Sequence, residues 1–233
     1  MAIGAKKSIH EEAADNIFWT TMADLMLGLA IIFMTLFVFA MTGFTQETVK
    51  LQESQMKATE ELAAKLKEAK IDAEIDRLTG NVKISNLELF ELNSYTLSPK
   101  GKAYLDKFIP IYLDTIYSKE ILRDNIADIV IQGHTDSQSF AGLKTKDEQF
   151  AKNMELSLLR ANAVAQYALL KTNYDKTNSE NLRKMLVVEG KSFSDPVIVD
   201  GKEDYNKSRR VELKLRVKAR NFAQIFGLNF GND

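Results

Sequence analysis

The hydrophobic residues of the chain are concentrated in one uninterrupted run near the N-terminus, NIFWTTMADLMLGLAIIFMTLFVFAMTGFTQ, which holds a single ionisable residue, Asp24. A helix of roughly 20 apolar residues crosses a ~30 Å hydrocarbon core, and the aromatic rings of Phe18 and Trp19 suit the interface at its start. We therefore predict a transmembrane helix over residues 17–44, after a tail of residues 1–16. A cleaved secretory signal is the alternative, but it fits poorly, because its apolar core is normally ~7–15 residues and ends at a small-residue cleavage site.

Two lysines ahead of this run, Lys6 and Lys7, bear on its orientation. Basic residues are retained on the cytoplasmic side of a span, whereas acidic residues have little influence. The sequence therefore favours a cytoplasmic N-terminus, with the rest of the chain on the other side of the membrane.

The next segment, residues 45–79, is rich in Glu, Lys, Ala and Gln and has no glycine or proline. Glu61 and Lys65 form an i,i+4 pair in the favourable order for a helix. Its apolar positions follow a 4-3-4 spacing: Leu62, Leu66, Ala69 and Ala73. This pattern predicts a helical linker, either a solvated spacer or a short coiled-coil seam between two copies of the chain.

The pattern changes to alternating strand and helix signals over residues 80–218. The predicted elements are a strand at 81–85, a helix from Ser98-Pro99 to about Tyr117, a strand at 129–131, a helix at 153–171, a strand from Val187, and a last strand at 210–217. This order predicts an α+β domain, β-α-β-α-β-β, with the helices packed on one sheet face. In the tail, residues 219–233, the spacing of Phe222, Phe226 and Phe230 favours packing on either the domain or a partner.

Composition excludes several functions. The chain of 233 residues has no cysteine and two histidines, which excludes disulfides, thiolate metal sites and cysteine nucleophiles. Its net charge of -1 gives no global signal for nucleic-acid binding. Because we find no nucleophile–base pair and no metal cluster, we predict neither an enzyme nor a resident cofactor or metal.

Asp24 is the first candidate functional residue. A charge inside a bilayer costs several kcal/mol, and such residues usually face a water path or a bundle interior. Thr20 and Thr21 precede it by four and three residues, where their hydroxyls can hydrogen-bond to it or help to hold a sodium ion. The alternative is that Asp24 is a structural polar contact between helices.

A second set of candidates lies in three short motifs: GHTD at 133–136, N-x-x-L-S-x-x-R-A at 153–161 and R-R-V-E at 209–212. Helical spacing puts three side chains of the second motif on one face: Asn153, Leu156 and Arg160. Asp136 follows a strand end, and a carboxylate beside the Arg160 guanidinium can bind a zwitterion. The alternative is an Asp136–Arg160 salt bridge with no ligand. We interpret His134 as structural.

These three motifs, in this order, resemble the peptidoglycan-binding OmpA C-terminal domain that MotB stator proteins share. Residues 89–90 and 95–98 resemble the opening of that domain, and the likeness covers about residues 81–217. It implies that Asp136 and Arg160 bind the ammonium and carboxylate of diaminopimelate. The other positions that match the pocket are Thr135, Asn153, Leu156 and Arg209. Two departures are Ser208, where the family has asparagine, and a longer stretch at 137–152.

The membrane segment FWTTMADLM, residues 18–26, resembles the W-x4-D-x-M segment of MotB-like proteins. This likeness implies that Asp24 carries the ion of a motor, H+ or Na+, with two copies of the chain inside a ring of multi-span partner subunits. It also implies a single-pass protein of the bacterial inner membrane whose C-terminal domain is periplasmic and binds peptidoglycan.

The F-W-x4-D-L-M form, the apolar helix at 27–39 and the short chain resemble the ZorB family of the Zorya anti-phage systems, which implies a ZorA-like multi-span partner. Flagellar stator subunits of the MotB type are an alternative, although they more often have Y-A-D-F-M at this position. A passive tether between membrane and cell wall is a further alternative.

Overall fold

The computed structural model of the chain describes residues 3–77, 79–91, 94–170 and 176–218. The chain divides into two compact units, one that ends at Val49 and one that begins at Lys50. The predicted tail, with Phe222, Phe226 and Phe230, lies outside the described residues.

Seven helices and seven strands make up the described chain. The helices are α1 (Ile3–Glu68), α2 (Asn86–Leu89), α3 (Pro99–Tyr117), α4 (Glu120–Asn125), α5 (Lys146–Leu170), α6 (Lys176–Met185) and α7 (Tyr205–Ser208). The strands are β1 (Glu74–Ile75), β2 (Val82–Ser85), β3 (Ile126–Gly133), β4 (Leu186–Gly190), β5 (Ile198–Val199), β6 (Lys202–Glu203) and β7 (Arg210–Val217).

The first unit contains the apolar part of α1. Ile17–Thr42 is long and apolar enough to cross a membrane, with a mean hydropathy of 2.5, and none of it is buried within the protein. At its start the rings of Phe18 and Trp19 meet edge to face, with centroids 5.9 Å apart. An apolar surface of this length that no protein packs against is suited to lipid.

A five-stranded sheet in the order β1-β2-β7-β3-β4 forms the centre of the second unit. β3 and β4 are parallel, whereas the other neighbours are antiparallel. The main elements follow one another along the chain in the order β2, α3, β3, α5, β4 and β7, which confirms the predicted β-α-β-α-β-β domain. The sequence pattern missed the edge strand β1 and the β5–β6 hairpin, because strands of two residues carry too little periodicity.

Two neighbouring rows of side chains show that the sheet has one apolar and one polar face. One row crosses all five strands with apolar residues: Ile75, Val82, Leu213, Ile131 and Val188. The adjacent row is polar: Glu74, Lys83, Glu212, Gln132 and Glu189. Because successive side chains of a strand point to opposite faces, the apolar row packs in the core with the helices, as predicted.

α3 begins where the sequence predicts. The Ser98 hydroxyl accepts a hydrogen bond from the Gly101 N–H at 2.9 Å, and Pro99 follows as the first helical residue, where its missing N–H is not needed. One face of the helix carries Phe108 and Tyr112, whose rings stack at 5.5 Å inside the core. α3 therefore contributes aromatic side chains to the core, while α5 packs closely on β3 and β4.

The C-terminal part of α1 packs on this same core. Leu62 and Leu66 are only 4% and 2% exposed and belong to the cluster that includes Tyr112. Lys65 pairs with Asp114 of α3 at 3.2 Å. Leu62 and Leu66 therefore serve as core residues of the domain, and neither the solvated spacer nor the coiled-coil seam describes them.

α5 begins at Lys146, seven residues before the predicted start at Asn153. Its first turn carries Glu148, whose carboxylate accepts hydrogen bonds from the Thr145 and Lys144 N–H groups at 3.0 and 2.9 Å. The Thr145 hydroxyl accepts from the Glu148 N–H in return. This reciprocal capping box starts the helix earlier than its apolar periodicity indicates.

We predict that Leu66→Ala lowers the stability of the second unit by about 2–4 kcal/mol, because it removes a buried side chain and leaves a cavity. In the full chain in detergent, the Tm of the domain falls by roughly 5–15 °C. Met56→Ala on the same helix is the control, because Met56 is 45% exposed, and its Tm stays close to that of the wild type. Equal melting of Leu66→Ala and wild type contradicts the packing of α1 on the domain.

Candidate functional site

The candidate site begins where β3 ends. Beyond Gly133 the backbone stays bonded to its neighbours, since the His134 N–H donates to the Arg210 carbonyl and the Thr135 N–H donates to the Ser192 carbonyl, both at 2.9 Å. These bonds hold the chain in place up to Asp136, which is buried. The first motif is therefore fixed by the sheet itself.

α5 lies against this strand end at Ser157. A Cβ added to Gly133 would lie 2.0 Å from the Ser157 carbonyl oxygen, and one added to Gly190 would lie 2.8 Å from the Ser157 hydroxyl oxygen. Only glycine allows so close an approach of backbone to backbone. The contact brings the second motif, which includes Arg160, beside the first.

The three motifs meet at one pocket of about 290 Å³. It is lined by Thr135, Asp136, Gln138, Ser139, Phe140, Ala141, Asn153, Leu156, Arg160 and Arg209. All six side chains that the sequence predicted for a binding site line this pocket. The sequence did not predict the four that come from residues 138–141.

Asp136 forms an ion pair with Arg209, whose Nη1 donates to Oδ2 at 2.5 Å. Arg209 also donates to the side-chain oxygens of Gln138 at 3.3 Å and Asn206 at 2.5 Å. Among the ion pairs of the described residues, Asp136 is not joined to Arg160. The Asp136–Arg160 salt bridge considered from the sequence is therefore wrong, because Asp136 pairs with Arg209 of the third motif instead.

Arg160 is 3% exposed. Its Nε donates to the Ser94 carbonyl at 3.0 Å, and its guanidinium lies 5.7 Å from the centre of the Phe90 ring. Burial, together with the nearby charge of Arg209, lowers the pKa of Arg160 to about 10, so it remains charged at neutral pH. The structure gives it no carboxylate partner among the residues described. Arg160 is therefore a buried cation suited to an anionic group.

Two buried polar residues complete the pocket. Asn153 Nδ2 donates to the Gln149 carbonyl at 3.0 Å, which leaves its side-chain oxygen for other partners. The Thr135 hydroxyl oxygen is buried and has no hydrogen-bond partner in the described chain. Because buried polar atoms are normally paired, an unpaired hydroxyl in the wall is consistent with a site that receives a polar ligand.

Outside the pocket lining, His134 lies near Asp195 and Glu212, and the possible ligand atoms of these three residues lie within 4.8 Å of one another. Arg210 occupies the space between the acids, since Nε donates to Glu212 at 2.5 Å and Nη2 donates to Asp195 at 2.9 Å. Burial opposes the ionisation of Glu212, but hydrogen bonds from Lys214 and Arg210 outweigh it and keep its pKa below the ordinary value. We therefore assign these residues to an ion-pair cluster.

His134 itself is 1% exposed, and its Nε2 lies 3.1 Å from Gln132 Oε1. Because that oxygen can only accept, the neutral ring carries its proton on Nε2. Burial, reinforced by the Arg210 charge, lowers the pKa of His134 to about 4. This agrees with the interpretation of His134 as a structural residue.

Asp24 lies within Ile17–Thr42, about 10 Å along the helix from Ile17 at ~1.5 Å per residue. The Thr21 hydroxyl donates to the carbonyls of Ile17 and Phe18 at 3.0 and 2.9 Å. Its hydrogen is therefore directed to the backbone and not to Asp24, while its oxygen keeps lone pairs that can accept a hydrogen bond or bind a cation.

Comparison with known proteins defines the class. The OmpA family matches residues 89–210, which contain the sheet end, α5 and all six predicted pocket residues. The chain therefore belongs to the OmpA family. This membership confirms the prediction that it is not an enzyme.

Over nearly its whole length the chain is similar to two proteins described as Zorya protein ZorB. The first, from Escherichia coli (strain ATCC 8739), is 33% identical over 226 residues, which cover 91% of this chain and 93% of that protein. The second, from Escherichia coli O139:H28, is 25% identical over 244 residues, which cover 100% of this chain and 89% of that protein. The chain is thus a ZorB-like protein with an OmpA-family domain.

Among solved structures, the chain is similar to a MotB-like protein from Desulfovibrio vulgaris, with a TM-score of 0.49, 23% identity, and coverage of 74% of this chain and 97% of that one. It is also similar to the periplasmic domain of Helicobacter pylori MotB, with a TM-score of 0.46, 18% identity, and coverage of 67% and 87%.

The lowered pKa of His134 predicts how stability depends on pH. The unfolded chain binds a proton to this ring near pH 6.5, whereas the folded chain does so only near pH 4, so stability falls as the pH drops through this window. The loss amounts to about 3 kcal/mol at ~1.4 kcal/mol per pKa unit. We predict that the Tm of the full chain falls between pH 6.5 and 4 and that His134→Gln removes most of this slope. His10→Gln is the matched control, and a slope that persists in His134→Gln contradicts the assignment.

Proposed function

We propose that the chain is the peptidoglycan-anchored subunit of an ion-driven inner-membrane motor, and that it acts as the ZorB component of a Zorya anti-phage complex. In this proposal Asp24 carries the ion and the OmpA-family domain holds the subunit to the cell wall. The single observation that carries the anchoring role is the pocket in which Asp136, Arg160 and Arg209 converge.

The charges of this pocket match a zwitterionic amino acid of a stem peptide such as diaminopimelate. Arg160 offers a buried guanidinium with no carboxylate partner in the described chain, so a ligand carboxylate can pair with it. Asp136 can accept a hydrogen bond from a ligand ammonium when its ion pair with Arg209 loosens. Thr135, Asn153 and Leu156 line the same space, and their polar atoms can orient the ligand.

The motor role rests on the acidic residue in the apolar helix. A carboxylate within a span costs several kcal/mol, and such a residue belongs by default to an ion or proton path. The membrane potential supplies ~2.3 kcal/mol per charge per 100 mV, which an ion that binds and leaves Asp24 can deliver as work. Thr20 and Thr21 are the neighbours proposed to share the ion site.

The proposed partners rest on the similarity to the two ZorB proteins and on the resemblance to MotB-like proteins. We propose that two copies of the chain act as a dimer inside a ring formed by a ZorA-like multi-span membrane protein, and that H+ or Na+ passes at the boundary. The N-terminus is cytoplasmic and the domain periplasmic, where it binds peptidoglycan. No direct nucleic-acid binding and no resident cofactor belong to this proposal.

Removal of either charge from the pocket tests the anchoring role. We predict that Asp136→Ala and Arg160→Ala each weaken binding of the full-length protein to purified sacculi by at least ~30-fold, because loss of one partner of a buried charge pair costs about 2 kcal/mol or more. The measurement is a sedimentation isotherm in detergent.

Arg123→Ala and Asp124→Ala are matched controls. They remove the same two charges near the other end of β3, which rises ~3.3 Å per residue over Ile126–Gly133. Both are expected to bind like the wild type. Wild-type binding by Arg160→Ala contradicts the anchoring role.

Replacement of the span carboxylate tests the motor. We predict that Asp24→Asn abolishes phage restriction in a non-motile host that carries the native gene neighbourhood, because the amide cannot bind and release the ion. Asp24→Glu keeps a carboxylate and retains part of the protection, and immunoblots check that each variant reaches the membrane.

Protection and ion flux that survive Asp24→Asn contradict the motor role and favour a passive tether. If the wild type restricts no phage but restores swimming to a stator-deleted strain, the flagellar alternative replaces the defence role.

A further inference from the structure

The loop between β3 and α5, residues 137–145, supplies four of the pocket-lining residues, namely Gln138, Ser139, Phe140 and Ala141. It belongs to the stretch, residues 137–152, that is longer here than in the family pattern. Its position is set by side chains that lie outside the loop.

The first of these side chains is Glu203 of β6. Its carboxylate accepts from both the N–H, at 3.2 Å, and the hydroxyl of Ser137. A two-point contact with an ionised acceptor fixes direction as well as distance. The β5–β6 hairpin therefore anchors the loop at the residue that follows Asp136.

The second anchor is Gln149 of α5. Its side-chain oxygen accepts from the Phe140 N–H at 2.7 Å, while its amide nitrogen donates to the carbonyls of Phe140 at 3.0 Å and Leu143 at 3.3 Å. One amide thus satisfies both backbone groups of Phe140, because it carries an acceptor oxygen and a donor nitrogen side by side.

These anchors give the pocket an apolar wall. Phe140 and Ala141 come from the loop and Leu156 from α5, and all three line the space that Asp136 and Arg160 also line. The loop reaches the charged end as well, because Gln138 accepts from Arg209. A ligand with charged ends joined by hydrocarbon would meet an apolar surface between them.

We propose that Phe140 is a specificity-determining residue that packs on the hydrocarbon part of a bound zwitterionic amino acid residue, and that Gln149 is the positioning residue that holds Phe140 in the wall. This inference rests on the proposed function, since the ligand is taken to be a peptide of the cell wall.

Two substitutions test the pair. Phe140→Ala removes the apolar contact and weakens binding of the full chain to purified sacculi about ten-fold, as expected for ~50 Å² of buried apolar surface. Gln149→Ala releases the loop and weakens binding by a similar factor. Gln149→Glu, which can accept from Phe140 but cannot donate to the two carbonyls, behaves like Gln149→Ala.

Matched controls exist on the same helix. Phe150→Ala removes a ring that meets Phe193 edge to face and does not line the pocket. Gln166→Ala removes an exposed glutamine. Both controls bind sacculi like the wild type.

The double variant separates positioning from a general loss of structure. If Gln149 acts through Phe140, Phe140→Ala with Gln149→Ala loses about ten-fold and not about a hundred-fold, because the second change removes nothing further. Hydrogen exchange of Gln149→Ala speeds up at residues 138–145 alone. A hundred-fold loss in the double variant, or faster exchange across the whole domain, overturns the positioning role.

Arg160→Ala separates the proposed anchoring function from the proposed roles of Phe140 and Gln149. If Arg160→Ala loses binding while Phe140→Ala keeps wild-type binding, the proposed function stands and this inference is overturned. If Arg160→Ala itself keeps full binding, the proposed function fails and the inference fails with it.

Discussion

The contact between Gly133 and Ser157 is the constraint on which the site depends. A side chain at Gly133 would put a Cβ 2.0 Å from the Ser157 carbonyl oxygen, so the end of β3 and the middle of α5 meet backbone to backbone. Arg160 lies three residues beyond this contact on α5, and Asp136 lies three residues beyond it in the segment that follows β3. That segment stays hydrogen-bonded to its neighbours through the His134 and Thr135 N–H groups, so two opposite charges are held at one pocket.

Only some of the charged side chains in the pocket have a partner of opposite charge among the described residues. Asp136 is paired with Arg209, whereas Arg160 is buried and lacks a carboxylate among the described residues. A site with two guanidinium groups and one carboxylate carries an excess of positive charge, and it attracts a ligand that brings a carboxylate. The ion-pair cluster of His134, Asp195, Arg210 and Glu212 includes Arg210, the first residue of β7. Arg209 directly precedes it in the chain.

Much of the fold and the site could be predicted from the sequence. Apolar alternation predicted β2 and β7, and a short apolar run predicted β3. The Ser98-Pro99 pair predicted the start of α3, and helical spacing put Asn153 and Arg160 on one face. What could not be predicted depends on contacts between residues far apart in sequence. The spacing of Leu62 and Leu66 is also that of a coiled-coil seam, and only the folded domain shows that they pack in its core. Asp136 pairs with Arg209 and not with Arg160 because the chain just before β7 brings Arg209 to it. No local sequence pattern shows that Gln149 holds Phe140 in the wall of the pocket.

The proposed function requires that Asp136 and Arg160 together receive the charged ends of a cell-wall amino acid. The most direct measurement is a crystal structure of the protein with a soluble stem peptide that contains diaminopimelate. We predict the ligand carboxylate on Arg160, its ammonium on Asp136, and the hydrocarbon chain against Phe140. A peptide bound elsewhere on the domain, with the Asp136–Arg209 pair undisturbed, would contradict it.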